Sequence, residues 1–376
     1  MDVNKLPKIV LFYPLFMGGG AEAVGLWILE ALKENYELTL FTLTDIDLDK
    51  LNSMYGTQLT KDRLKIRVVF DVRFHRLIHF LVANNGLARM LLFHFLIRIF
   101  KKHCSEYDLP ISGYNATDLG GNGIQYIHWV KVIEGNALAH KISDFSLSSL
   151  KSNLCLVNSL VVGETVKKVY GCESKVIYPP VVLDVQDIAW ESKENAFICS
   201  GRLTKAKEPH RVIEILKQVR DRGFEIKLYL TGGGGGTYAV GYQRRLYKTI
   251  MENSDWITLY QNLPYAEYVK VLARCKYGIH YKKEPFGISI AEMVKAGAIP
   301  FVRSQGGQVE IVGSENEELL FSNPNEAVEK IASVLSDRSK QESLKAQLKP
   351  RNNLFSTAKF KEEIQQAIAD YFATSI

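Results

Sequence analysis

Two pairs of charged residues in the second half of the chain have the types and spacing to bind an anion beside hydroxyl groups. Arg202 and Lys207 follow a short apolar run, and Glu284 and Glu292 flank a turn and the start of a helical pattern. Two cations can neutralise a diphosphate and stabilise it as it departs. Carboxylates accept hydrogen bonds from hydroxyl groups. Together the four side chains would suit a sugar diphosphate, although each pair alone is also typical of a solvated loop.

The four residues between the two glutamates add a second kind of donor. Phe286, Gly287, Ile288 and Ser289 lead into a helical pattern that continues to Ala296. The first backbone amides of a helix lack partners within the helix and carry its positive dipole end. These amides therefore suit the oxygens of a phosphate or a sugar.

A glycine cluster near the N-terminus is a separate candidate site. Gly18, Gly19 and Gly20 lie between a strand pattern and a helical one, where glycine lets the backbone approach a ligand. A plain tight turn remains an alternative. Gly18, Gly20 and Ala23 also fit a loose dinucleotide fingerprint, which keeps a nicotinamide-dependent oxidoreductase open, but no acid is well placed for the ribose.

His128 is the fourth candidate, at the end of a strand pattern in the first half of the chain. A lone histidine at a strand end is more often structural or solvated than catalytic, and both interpretations stay open here.

The elements that must position these residues alternate between strand and helix patterns, which predicts an α/β fold with parallel sheets. Two series are visible, and each would form a Rossmann-like, doubly wound domain. The predicted strands are Lys8–Tyr13, Glu37–Leu43, Lys65–Phe70, Gly123–His128, Leu154–Asn158 and Lys175–Tyr178, then Ala196–Ser200, Glu225–Leu230, Trp256–Tyr260, Tyr277–Tyr281 and Ile299–Arg303. The predicted helices are Ala21–Asn35, Glu208–Arg222, Tyr242–Asn253, Tyr265–Cys275, Ile288–Ala296, Asn325–Leu335 and Thr357–Phe372.

Pro179 and Pro180 end the first series, and a polar stretch separates it from the second. We predict a first domain over residues 1–183 and a second domain over 184–356. The final segment, 357–376, is predicted to be a helix that packs back on the first domain.

Composition is that of an ordinary globular protein, with 376 residues and 47% hydrophobic residues. The five cysteines include no CxxC pair, so we expect no metal site and no disulfide framework. No apolar stretch is long enough to span a bilayer. We expect a cytoplasmic protein.

The positive charge is concentrated in one segment. Residues 61–103 carry ten Lys or Arg against two Asp, in a chain of net charge +6. Leu87–Phe100, within that segment, is apolar nearly all round. This helix either packs in the first domain with a solvated basic rim, or belongs to a region, 73–103, that contacts an anionic membrane peripherally.

The second-half motifs resemble retaining glycosyltransferase family 4, which has the GT-B fold. Gly201, Arg202 and Lys207 form its GR-x4-K element, and Glu284 and Glu292 its E-x7-E element. Other segments are similar to mannosyltransferases that build lipid-linked oligosaccharides, namely Gly18–Glu22, Tyr178–Pro180, Gly278–Ser289 and Gln305–Gly307.

The resemblance implies two Rossmann-like domains that face a cleft, with 1–183 on the acceptor side and 184–356 binding the nucleotide sugar. It also implies a role for each candidate. Arg202 and Lys207 would bind the donor diphosphate, and Glu292 the nucleotide ribose. Glu284 and the backbone of Phe286–Ser289 would hold the transferred sugar and its phosphate. The loop of Gly19 and Gly20 would meet donor or acceptor, and His128 would touch the sugar near the reacting carbon.

The resemblance also implies the reactants. The donor would be GDP-mannose or a UDP-sugar, and the acceptor a glycan or a lipid-linked glycan. No metal or other cofactor and no nucleic acid would be needed. Alternatives are another GT-B enzyme, such as a nucleotide-sugar epimerase or an inverting transferase, and a non-catalytic binding subunit.

Overall fold

A computed structural model describes residues 6–130, 136–185, 188–233 and 240–374. The chain divides into two compact units. The first comprises Met1–Pro180 and Thr357–Ile376, and the second Val181–Ser356.

The first unit contains a seven-stranded sheet in which every neighbouring pair is parallel. The strand order is β3-β2-β1-β4-β5-β6-β7. The strands are β1 (Lys8–Phe12), β2 (Glu37–Thr42), β3 (Leu64–Val68), β4 (Leu109–Ser112), β5 (Ile124–Ile127), β6 (Leu154–Val157) and β7 (Ser174–Val176). The helices between them are α1 (Gly20–Leu32), α2 (Leu48–Tyr55), α3 (His75–Asn84), α4 (Gly86–His103), α5 (Ala137–Ser143), α6 (Leu147–Lys151) and α7 (Leu160–Tyr170).

The second unit contains a six-stranded parallel sheet in the order β10-β9-β8-β11-β12-β13. Its strands are β8 (Glu194–Ser200), β9 (Lys227–Gly232), β10 (Ile257–Gln261), β11 (Cys275–His280), β12 (Ile299–Arg303) and β13 (Leu320–Phe321). Its helices are α8 (Pro209–Asp221), α9 (Val240–Glu252), α10 (Tyr265–Arg274), α11 (Ile288–Lys295), α12 (Gln308–Val312), α13 (Pro324–Leu335) and α14 (Arg338–Leu348).

The last helix, α15 (Thr357–Thr374), belongs to the first unit although it follows the second in sequence. The side chain of Gln365 donates a hydrogen bond to the carbonyl of Ala31 at 2.7 Å. The Phe360 ring is buried, with its centroid 6.4 Å from that of Tyr126 on β5.

The central strands are apolar because helices cover both faces of each sheet. On β1, Ile9, Val10, Leu11 and Phe12 are all buried. The same holds for Ala196–Ile198 on β8. The predicted fold class, two Rossmann-like parallel-sheet domains, is confirmed.

Two strands were absent from the sequence-based prediction. β4 is only four residues long and includes Pro110, and β13 has two residues, so neither shows a clear periodicity. β4 is nevertheless central, because it pairs with β1 and β5.

Helix α4 packs into the first unit, which is the simpler of the two alternatives for Leu87–Phe100. Leu96, Ile97 and Phe100 lie in a core cluster together with Ile78 and Val82 of α3. Leu92, Phe93 and Ile99 are partly buried against this cluster, whereas Leu87 and Phe95 are exposed.

The strand order reverses direction beside the first strand of each sheet, between β1 and β4 and between β8 and β11. In open α/β sheets, ligands bind outside the carboxyl ends of the strands at such switch points. The glycine cluster follows β1, and the two charged motifs follow β8 and β11. The topology therefore places these candidates where a ligand is expected in each unit.

Candidate functional site

An ion pair joins the loops that leave β8 and β11 in the second unit. The Lys207 ammonium donates to Oε1 of Glu284, across 77 positions of sequence. Both side chains are mostly buried. Lys207 of the predicted cation pair thus contacts Glu284 of the predicted carboxylate pair at the switch point.

Glu284 also accepts a hydrogen bond from His280, the last residue of β11. The distance from His280 Nε2 to Glu284 Oε1 is 2.9 Å, and the imidazole is 5% exposed. Burial alone would raise the pKa of Glu284, but the hydrogen bonds and charges of His280 and Lys207 outweigh it and lower the pKa to about 2. Glu284 is therefore a carboxylate at any physiological pH, able to accept bonds from hydroxyl groups.

Arg202 leaves the same strand end as Lys207 and is exposed. Within the described ranges, its guanidinium makes no hydrogen bond or ion pair with another side chain. Leu203 and Thr204 beside it are buried and anchor the loop. This leaves an uncompensated cation at the edge of the sheet.

The backbone around Gly201 approaches the end of β9 closely. A Cβ atom on Gly232 would lie 1.9 Å from the Gly201 carbonyl oxygen, and one on Gly233 would lie 1.9 Å from Oδ1 of Asn262. The first two residues of the five-glycine run are thus explained by contact with neighbouring loops. Glycines 234–236 lie outside the described residues.

Glu292 lies on α11 and has different partners from Glu284. The Tyr268 hydroxyl donates to its Oε2 at 2.8 Å, and the Tyr265 hydroxyl lies 3.4 Å from its Oε1. Burial raises the pKa of Glu292 to about 7 despite the two tyrosines. Tyr268 also bonds Ser200, the last residue of β8, so Glu292 lies beside the end of that strand.

The start of α11 offers backbone donors, as predicted for Phe286–Ser289. Gly287 precedes the helix with φ of 111°, and no side chain caps it. The Phe286 side chain is 2% exposed and its ring lies 5.4 Å from that of Phe355. Phe286 therefore anchors the loop by its side chain, and only its backbone could contact a ligand.

Gln308 is a residue that the sequence analysis missed. It is fully buried; its Oε1 accepts from the Glu284 amide at 2.8 Å, and its Nε2 donates to the Lys282 carbonyl at 3.3 Å. Gly307 before it is equally constrained, because a Cβ there would lie 2.1 Å from the Pro285 oxygen. The turn at 305–308 thus braces the Glu284 loop.

His280 and Tyr268 were also missed. The place of His280, at a strand end four residues before Glu284, was a usable signal in the sequence. Tyr268 gave none, because only the packing of α10 brings it to Glu292.

In the first unit, the glycine loop is held by its own neighbours. The Gly19 amide donates to the Tyr55 hydroxyl at 3.0 Å, and that hydroxyl donates to Glu22 at 3.0 Å. Glu22 also accepts from the Met17 amide, and its burial raises its pKa. Helix α1 begins at Gly20. The Gly19 amide, a predicted ligand contact, is thus already hydrogen-bonded within the unit.

A cavity of about 370 Å³ opens beside this loop, at the carboxyl ends of β1 and β2. The sequence did not indicate it. Its walls combine apolar side chains, among them Phe16, Ile46 and Met54, with charged ones of both signs, namely Glu22, Asp45, Asp47 and Lys50. The charged side chains could bind hydroxyl groups of a ligand in this cavity.

His128 follows β5 and turns back towards β4. Its Nε2 donates to the Gly113 carbonyl at 3.1 Å, and the side chain of Asn115 accepts from its amide at 3.0 Å. Burial lowers the pKa of His128 to about 4, against a smaller opposite effect of the Gly113 bond. The ring is neutral at pH 7, with Nδ1 left as an acceptor.

Metal clusters and membrane-spanning helices are both absent from the described residues. They contain no group of three or more His, Cys, Asp or Glu side chains placed to hold a metal ion. Among the helices they form, none has the length and apolar character needed to cross a bilayer.

Comparison with known proteins identifies the second unit. Residues 183–351 match the family model of Glycosyl transferases group 1. The chain is 25% identical over 240 residues to the GDP-Man:Man(3)GlcNAc(2)-PP-Dol alpha-1,2-mannosyltransferase of Dictyostelium discoideum, a match that covers 58% of this chain. It spans about half of that relative's length, 47%.

Solved structures resemble the chain over nearly its whole length. HepE of Anabaena in complex with UDP has a TM-score of 0.73 at 16% identity and covers 96% of this chain and 100% of its own. Sucrose-phosphate synthase of Thermosynechococcus elongatus has a TM-score of 0.70 at 14% identity, covering 98% and 100%. At such identities the likeness shows the fold, which is that of GT-B glycosyltransferases. Residues 183–351, which make up most of the second unit, thus match Glycosyl transferases group 1, and the chain has the fold of GT-B glycosyltransferases.

Proposed function

We propose that this glycosyltransferase moves a sugar, mannose foremost, from a nucleoside diphosphate donor to a hydroxyl group of a glycan or lipid-linked acceptor, with retention of anomeric configuration. The Dictyostelium relative, whose name gives GDP-mannose as donor and a dolichol-linked acceptor, supports mannose. HepE has been solved with UDP-glucose, which keeps a UDP-sugar as the second choice.

The second unit binds the donor in this proposal. The observation that carries it is the Lys207–Glu284–His280 cluster at the switch point, with the Arg202 guanidinium, which has no partner among the described residues, at the same strand end. Arg202 and Lys207 bind the diphosphate, and the first amides of α11 bind its oxygens. Glu284 accepts hydrogen bonds from the sugar, and Glu292 from the ribose.

The reaction breaks the bond between the anomeric carbon and the diphosphate oxygen, and the bonding electrons leave with the diphosphate. Arg202 and Lys207 stabilise the charge that develops there, without a resident metal. The acceptor oxygen bonds to the anomeric carbon from the face that the diphosphate leaves, which retains the configuration. Its proton passes to the departing phosphate oxygen.

Arg202→Ala and Lys207→Ala test this assignment. Each removes a cation from the developing charge, so we expect kcat to fall by about 10²–10³-fold. Lys205→Ala is the matched control, because Lys205 is an exposed lysine of the same loop. The measurement is transfer of labelled mannose from GDP-mannose, and of glucose from UDP-glucose, with the product's anomeric configuration read by NMR.

Near-normal rates in both cation variants would reject the assigned roles. An inverted product would replace the retaining mechanism by an inverting one. Absence of transfer and of donor hydrolysis by the unmodified protein, with no thermal shift from either nucleotide sugar, would favour a non-catalytic subunit.

A further inference from the structure

Helix α3 and the residues just before it expose apolar side chains on the surface of the first unit. Val72, Phe74, Leu77 and Phe80 are 70%, 49%, 54% and 62% exposed. Leu77 and Phe80 are three positions apart on one helical face, and this face is the reverse of the one that buries Ile78 and Val82. Scattered apolar residues are common on surfaces, but four within nine positions form a patch.

Cations share this patch, and the segment that forms it, 72–80, contains no acid. The chain has no Asp or Glu between Asp71 and Glu106. Arg73 and Arg76 lie between the apolar residues, and both are exposed. Arg73 pairs with Asp71, with the Arg73 side chain 80% exposed, and in the described residues Arg76 has no ion-pair partner. We call Val72, Arg73, Phe74, Arg76, Leu77 and Phe80 the α3 surface.

We propose that the α3 surface docks on an anionic lipid bilayer, with α3 lying in the plane of the interface. An apolar face in the acyl boundary flanked by cations at the headgroups is the arrangement of an interfacial helix. A second copy of the chain fits less well, because it would place arginine against arginine.

The opposite face of α3 reaches the cavity of the first unit. His75 Nε2 accepts from the Asp45 amide at 3.1 Å, and His79 Nε2 lies 3.3 Å from Oγ1 of Thr44. His79 is part of the cavity wall. A docked α3 therefore has lipid on one side and the cavity on the other.

This position gives docking a role in acceptor binding, and that role rests on the function proposed above. The lipid tail of a lipid-linked acceptor would stay in the bilayer while its hydroxyl-bearing head enters the cavity beside α3. Docking then raises transfer to acceptors held in a bilayer and leaves donor chemistry unchanged.

Vesicle flotation of the whole protein tests the docking. The probes are vesicles of phosphatidylcholine with an equal share of phosphatidylglycerol, and vesicles of phosphatidylcholine alone, at low salt. We expect flotation with the anionic vesicles, weakened at least about tenfold by Leu77→Ser/Phe80→Ser. Arg73→Gln/Arg76→Gln should weaken it about tenfold or more on anionic vesicles. The matched control is Leu147→Ser/Val169→Ser, at two exposed apolar positions of the same unit.

Failure of the unmodified protein to float with anionic vesicles at low salt would overturn the proposal. Equal losses in the control variant, or none in either α3 variant, would do the same. A dimer that Leu77→Ser/Phe80→Ser dissolves, without flotation, would make the surface a self-association face instead.

Donor hydrolysis in the same variants separates this proposal from the previous one. If flotation depends on the α3 surface but the protein never hydrolyses a nucleotide sugar, the docking proposal stands and the proposed enzymatic function is rejected. If hydrolysis is normal but the protein does not float, the enzymatic function stands and the docking proposal is rejected.

Discussion

The two sheets present chemically different edges although they share a topology. In each unit a glycine follows the first strand, and an acid lies at the switch point. In the second unit that acid, Glu284, is paired with Lys207 and His280, and its pKa is lowered to about 2. In the first unit it is Glu22, which bonds its own loop and whose pKa is raised by burial.

The difference shows that topology selects the place of a site and the side chains select its ligand. The second edge presents a fixed carboxylate, a free cation and helix amides, which suits a sugar diphosphate. At the first edge the acid, Glu22, holds the glycine loop, and a cavity lined by apolar and charged side chains lies beside it. One fold therefore presents a cation, a fixed carboxylate and helix amides at one edge, and a cavity with apolar and charged walls at the other.

Among the variants that test this difference between the two units, Gly307→Ala is expected to change stability the most. Its Cβ would lie 2.1 Å from the Pro285 oxygen, so the loop that carries Glu284 must move. We expect a loss of about 3 kcal/mol in the free energy of unfolding, measured by urea denaturation, and a fall in transfer.

Gly19→Ala is the counterpart in the first unit. Nothing lies within 4 Å of its Cβ, and its backbone is extended with φ of 160°. We expect its unfolding free energy to stay within about 0.5 kcal/mol of the unmodified protein. Equal stability of the two variants would mean that the Glu284 loop is not braced as described.

The next largest effect is on the pH dependence of stability, which we expect Glu284→Gln and Glu22→Gln to change in opposite directions. Because the folded pKa of Glu284 is lowered, its contribution to stability is present above about pH 4.5 and is lost as pH falls towards 2. Because that of Glu22 is raised, its contribution is present below the unfolded pKa and is lost as pH rises through the folded value.

Urea denaturation of each unit's variant at pH 3, 5 and 8 measures both signs. The advantage of the unmodified protein over Glu284→Gln should grow from pH 3 to pH 5, by on the order of 2 kcal/mol. Its advantage over Glu22→Gln should shrink as pH rises. The same sign in both variants would contradict the contrast between the two acids.

Among the variants that remove or displace a contact, Tyr55→Phe is expected to have the smallest effect. The variant loses the hydroxyl that joins the Gly19 amide to Glu22, at a cost of about 1 kcal/mol in unfolding free energy. Tyr36→Phe is the control, since the Tyr36 hydroxyl makes no hydrogen bond within the described residues. A loss as large in the control would show that the loop is held by other contacts.

Much of the fold was predictable because it is written in local periodicity. The βα alternation, the glycine-led start of α1 and the helix at Ile288 all follow from patterns within one turn or strand. β4 was missed because four residues with a proline carry too little pattern. Similarly, the burial of α4 depends on α3 and β1, which no window around Leu96 contains.

The sequence predicted the charged residues of the candidate site, but it did not predict the buried residues that hold them in place. Arg202, Lys207, Glu284 and Glu292 were selected by charge and spacing, and their roles stay predictions. Gln308 and Tyr268 escaped because a buried glutamine or tyrosine has no distinctive spacing. Their partners lie 24 positions away, so only folding brings them together.

The sequence by itself determined the order of the elements and which side chains stand at the strand ends, because both depend on near neighbours along the chain. Only the tertiary structure decided the charge of each acid. Glu284 and Glu292 are eight positions apart, yet their pKa values are about 2 and about 7. The cause is that a carboxyl group's pKa depends on the cations and the solvent around it, and folding supplies cations to the first and only tyrosines to the second.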